Sequence, residues 1–254
     1  MDKEFEGELK WIDAKFLITE NHYSQIESVF LCLSLIFNDI KGLILFEDTL
    51  INIYKKPDID NPNCHLGNYS GVLIQIQKLI VGTINEFFIF LKKNTEVFAT
   101  NEFKEILEKI PKENREIWKS LLAAAHGNFP NVSDFLKAII FIRNNVSFHY
   151  DHSGKILRNA YISRFFGKVI DKANLYAYYS SVANDNNQTR FFFADAALEE
   201  SMYIAAGKKS KESSFGNPSL KKYNEQLKDT LVAVSNTIAY LVNGYITSKR
   251  NRPH

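Results

Sequence analysis

An all-α fold is what this chain predicts, and three observations predict it. Two long segments repeat apolar residues in steps of three and four, the spacing of one helix face. Shorter segments downstream carry the same pattern between recognisable start and stop signals. Sustained period-two alternation between turn signals, the mark of strands, occurs in no segment.

The first long pattern covers about Tyr23 to Tyr54, where Ile26, Phe30, Leu33, Phe37, Ile40 and Ile44 share a face. Two prolines and several Asx residues in "KKPDIDNPNCHLGN" then break it. The second covers about Tyr69 to Lys93, with Leu73, Ile76, Ile80, Ile84, Phe87 and Leu91 in register. One loop between two long helices predicts an antiparallel pair. Helices follow over about Glu102 to Lys109 and Lys112 to Ala125, with Pro111 suited to the first turn of the latter. "HGNFPNVSD" stops that helix and starts another, for which Ser133 is a candidate N-cap. Beyond Gly154, "KILRNAYISRFFGKVI" and "FFFADAALEESMYIA" read as helices and "VANDNNQTR" as a loop. "GKKSKESSFGNPS" reads as a linker, and Leu220 to Thr247 as the last helix.

Composition bounds the function. The 254 residues carry a formal charge of only +2, so the chain does not advertise a nucleic-acid surface. The basic groups Lys208, Lys209 and Lys211, and Lys249, Arg250 and Arg252, read as a solvated loop and a frayed tail. Cys32 and Cys64 sit in no metal-finger or CxxC spacing and read as free thiols. The acidic start "MDKEFEGELK" has no apolar core and is no secretory signal. "VFLCLSLIF" and "LIVGTINEFFIFL" read as too short or too interrupted to span a bilayer. Together these predict a cytoplasmic protein with no membrane partner.

The helix after Ser133 carries the sharpest clue. Phe135, Ile139, Ile142, Val146 and His149 fall on one row; Leu136, Ile140, Arg143, Ser147 and Tyr150 fall on the next. Both rows begin apolar and turn polar in the last two turns. A helix that only filled a core has no reason to change there, whereas one opening into a cleft or a partner surface does.

Arg143-Asn144, four residues and then His149 resemble the Arg-Asn-x4-His form of the R-x4–6-H motif of the HEPN superfamily. These are all-helical proteins of toxins, abortive-infection systems and CRISPR-associated ribonucleases. The resemblance covers about residues 20–170 as an architecture and 143–150 as a motif. It implies one HEPN-like domain over 1–254, with a C-terminal helical extension from about 171. Arg158-Asn159 is an internal control, since no histidine follows it at the required distance.

What the resemblance implies is metal-independent, cofactor-free RNA cleavage, in which the 2′-OH attacks the neighbouring phosphate and leaves a 2′,3′-cyclic end. His149 would be the acid–base group, because imidazole titrates near neutral pH. Arg143 would clamp the phosphorane with its planar fork. Asn144 would orient the histidine or the phosphate, and Tyr150 would add a hydrogen bond or stack a base. Six residues of helix rise about 9 Å and turn the two side chains roughly 120° apart. A two-fold homodimer is therefore expected to complete the site, with RNA as substrate and room for a cognate antitoxin. The same Arg and His would also suit an ion pair and a hydrogen-bonded histidine at the core's edge. A HEPN-like module that binds RNA, nucleotides or protein without cutting is the alternative.

His149-Tyr-Asp-His152 has metal-like spacing but lacks a third ligand. "GNYSG" at 67–71 lacks the Lys-Ser/Thr of a phosphate loop. The aromatic runs "EFFIFL" and "RFFFAD" read as core, and Asp39 as surface.

Overall fold

The computed structural model describes residues 10–53, 64–128, 139–140, 150–166, 177–181, 189–205 and 218–250. The fold is all-α. The described helices are α1 (Ala14–Leu17), α2 (Gln25–Ile53), α3 (Cys64–Lys93), α4 (Thr95–Phe98), α5 (Asn101–Lys109), α6 (Lys112–Ala125), α7 (Tyr150–Phe166), α8 (Phe192–Ala205) and α9 (Pro218–Arg250). Among the described residues the only β pairing is a single antiparallel bridge between Ser180 and Arg190.

The 29, 30 and 33 residues of α2, α3 and α9 make the long rods of the bundle. α2 packs on both α3 and α9, α6 closes against α3 and α9, and α8 joins α7 to α3. The predicted rows do the burying: Ile26, Phe30, Leu33 and Ile40 of α2, and Ile76, Ile80, Ile84, Phe87 and Leu91 of α3, are core residues.

Aromatic rings tie the short helices to the long ones. Tyr245 of α9 stacks on Phe30 of α2 with centroids 4.2 Å apart. Phe30 stacks on Phe103 of α5 at 5.7 Å. Trp118 of α6 meets Phe98 edge-on at 5.1 Å and lies 5.5 Å from Phe103. Offset and edge-on pairs at these distances add to what burial alone supplies.

Local signals set the short helices. Thr100 caps α5, its Oγ1 accepting from the Phe103 N–H at 3.3 Å. Thr100→Ala is expected to cost about 1 kcal/mol in urea unfolding, the usual loss for a hydroxyl cap. α6 stops where predicted. Gly127, at φ +70°, donates to the Ala124 carbonyl and Asn128 to the Ala123 carbonyl, which closes the helix end. Pro111 precedes the first residue of α6 and acts as its N-cap rather than lying within its first turn.

Several expectations need correction. α3 starts at Cys64, so "CHLGN" is helix rather than loop. The helix expected from Lys155 starts at Tyr150 instead, and Gly154 lies inside it. Of "RFFFAD", Phe191 is half exposed and Phe192 and Phe193 are only partly buried, because this turn enters α8 at the edge of the bundle. The supposed frayed tail is ordered helix to Arg250. Lys249 is buried there in an ion pair, and Arg250 donates to the Trp11 carbonyl.

The two apolar stretches belong to helices longer than themselves. By length and composition α2 and α3 are each able to cross a bilayer, which corrects the reading of those stretches as too short. Core helices meet the same criterion, and 56% of the apolar window of α3 is buried, against 22% for α2.

Candidate functional site

The motif lies between two described anchors. Upstream, Ile139 is fully buried in the core cluster while Ile140 is exposed. Downstream, α7 begins at Tyr150. Arg143, Asn144 and His149 lie outside the described residues, as do Ser133 and the side chains of Tyr150 and His152.

What holds α7 in place is described, and the sequence reading missed it. α7 packs mainly on α8, and polar contacts at the end away from Tyr150 pin the two together. The Ser163 hydroxyl donates to Glu200 Oε1 at 2.7 Å, and Arg164 Nη2 lies 3.7 Å from Glu199 Oε2. Glu200 is buried, so the hydroxyl offsets part of its desolvation. Arg164 Nη1 is buried and makes no hydrogen bond among the described residues.

A second polar group joins α8 to α3. Arg190 grips Asp195 with two bonds, Nε to Oδ2 at 2.8 Å and Nη2 to Oδ1 at 3.3 Å. Paired backbone bonds between Arg190 and Ser180, 2.8 and 2.9 Å long, fix the loop that presents it. Lys78 of α3 is buried nearby. Desolvation lowers the pKa of its ammonium, and the Asp195 charge partly restores it.

The glycines of "GNYSG" are needed here. On Gly67 a Cβ would come within 2.5 Å of the Phe192 ring, and on Gly71 it would collide with the Arg190 guanidinium. Their work is close approach between α3 and the start of α8. Gly71→Ala is expected to push Arg190 off Asp195 and to destabilise the fold by about 1–3 kcal/mol, the range for overpacking. An unchanged urea midpoint would contradict this.

Acids face cations or hydroxyls along α8, and these groups clamp helices together. The remaining sequence candidates are dispersed. Arg158, Asn159 and Asp39 are exposed, as expected. His126 ends α6, with Nε2 3.1 Å from Thr95 Oγ1. Cys32 and Cys64 are free and exposed. Among the described residues no three His, Cys, Asp or Glu side chains gather as a metal would need.

Comparison with known proteins returns no match, whether to a family model, a curated protein or a solved structure. The fold itself defines the class, an all-α bundle.

Proposed function

We propose that the chain is a HEPN-type, metal-independent endoribonuclease of the cytoplasm, working in defence or as a toxin. The observation that carries the reading is Arg143-Asn144-x4-His149 at the polar end of an apolar helical run in an all-helical chain. Burial of Ile139 and the start of α7 at Tyr150 support it, because they bracket the motif with a core residue on one side and the start of a helix on the other.

In this reading His149 removes the proton from the 2′-OH and an imidazolium returns one to the leaving 5′-oxygen. Arg143 meets the charge that builds on the phosphorane. Asn144 orients one of the two, and Tyr150 contacts the substrate. A homodimer brings two copies of the motif together.

Cleavage of total RNA by purified protein in the presence of a chelator tests the proposal. The expected product carries a 2′,3′-cyclic phosphate. Cleavage that requires added Mg²⁺ or Mn²⁺ would sink the mechanism.

A second reading, a module that binds RNA without cutting it, is favoured by the small net charge. Electrophoretic retardation of RNA that stays intact, unaltered by His149→Ala, would support it instead.

A further inference from the structure

One face of α2 is committed to the bundle, with Val29, Phe30, Leu33 and Ile40 buried against its neighbours. The opposite face is apolar and open: Leu31, Leu35, Leu45 and Phe46 are 62%, 60%, 53% and 51% exposed. Four such side chains on one helix present on the order of 400 Å² of apolar surface, the scale at which a patch marks an interaction site. Two copies face to face would cover about 800 Å² from these residues alone. Flanking Ser28, Cys32 and Thr49 bring the total towards the roughly 1,000 Å² of a specific interface.

The order of residues says what covers this face. Leu31, Leu35, Gly42 and Phe46 are spaced four, seven and four apart, a pattern that reads the same in both directions. Its midpoint falls between Asn38 and Asp39, both exposed. We infer that α2 is a self-association surface, on which a second copy of the chain docks its own α2 antiparallel about a two-fold axis at that midpoint. Such an axis makes the contact isologous, so one palindromic row serves both partners.

In that register Leu35 settles over the partner's Gly42, where nothing lies within 4 Å of the space a Cβ would take. Leu31 lies beside the partner's Phe46. Asn38 and Asp39 flank the axis on either side, each level with the other's copy, so the Asn38 amide can donate to the partner's Asp39 carboxylate in both halves of the contact.

A lipid surface fits the same face less well. Asn38 and Asp39 sit halfway along α2, where a spanning helix would carry them to the bilayer centre. The N-terminal end of α2 is also anchored in protein, through the Glu27–Lys249 pair. The inference rests on α2 alone, so it is independent of whether the motif cuts RNA.

Analytical ultracentrifugation of the full chain at micromolar concentration tests it. The parent is expected to sediment as an assembly twice the size of the Leu35→Glu variant, whether or not the motif end also pairs copies. Leu35→Glu should weaken the dimer by at least about 30-fold, as loss of a central contact does, with an unchanged helical circular-dichroism spectrum. Gly42→Leu should do the same by filling the seat of the partner's Leu35, and it carries the test if Leu35→Glu misfolds. Leu79→Glu, at an exposed position on α3, should leave the dimer intact. A parent that is monomeric, or variants that dimerise like the parent, would overturn the proposal. So would a monomer that floats with phosphatidylcholine–phosphatidylglycerol vesicles and loses that binding in Leu35→Glu, because the face would then be a membrane surface.

Discussion

His149→Ala is expected to slow RNA cleavage by about 10²–10⁴-fold while leaving the melting temperature unchanged. Loss of a positioned acid–base group costs that much in rate, and a side chain at the polar end of a helix costs little in stability. Arg143→Ala should be as damaging. Arg143→Lys should recover little, because an ammonium keeps the charge but cannot bind two phosphate oxygens side by side. Arg158→Ala is the control: this residue is exposed on α7 and should be silent. If Arg143 and His149 serve only as an ion pair and a core-edge histidine, their alanine variants will melt lower and no cleavage will have been there to lose. Variants that melt like the parent and cut RNA at the same rate would place the chemistry elsewhere.

The largest expected loss of stability belongs to Lys249→Met. Lys249 Nζ lies 2.9 Å from Glu27 Oε1, and the two residues are only 9% and 5% exposed. Removing one member of a buried pair strands the other charge, at a cost of about 3–5 kcal/mol. In a chain of this size that lowers the melting temperature by on the order of 10 °C. Replacing Glu27 by methionine as well should restore much of the loss, since an apolar pair leaves no charge to desolvate.

Acid should probe the same pair. Burial works against the ionised Glu27, but the Thr19 N–H, the Lys249 ammonium and the Thr19 hydroxyl outweigh it and hold the carboxyl below its ordinary value. The unfolded chain therefore takes up the proton first. The stabilisation is complete above the unfolded value of about 4.3 and fades as pH falls through that value towards the folded one. Urea unfolding at pH 7 and pH 4 should show the parent losing this contribution and the double variant indifferent to it. A parent with the same stability at both values would contradict the assignment.

How far sequence could be read depended on the range of the cause. α6 was legible at both ends because Pro111 and Gly127 act within one turn of where they stand. The rows of α2 and α3 were legible because a helix repeats its face every three or four residues. Gly67 was read into a loop, and the work of Gly71 went unseen, because a glycine that admits a neighbour looks, in sequence, like any other. Their reasons, Phe192 and Arg190, lie over a hundred positions away. Lys249 looked like a solvated tail because its partner stands 222 residues earlier. Arg164, Glu199 and Glu200 were invisible as a group for the same reason. The proposed site was legible as spacing alone, in residues 143–149, which lie outside the described part of the fold.

Glu27 also bears on how the protein is made. α2 is translated early, and its acid must wait for a lysine in the last turn of α9. Nearby, the Tyr245 hydroxyl donates to the Leu17 carbonyl at 2.6 Å, another clasp between the same distant segments. A ribosome-bound chain that stops before residue 245 has neither clasp, and Phe30 still lacks the ring of Tyr245 stacked upon it. The early helices can collapse on one another during synthesis, but this end of the bundle closes only after the final helix has left the exit tunnel.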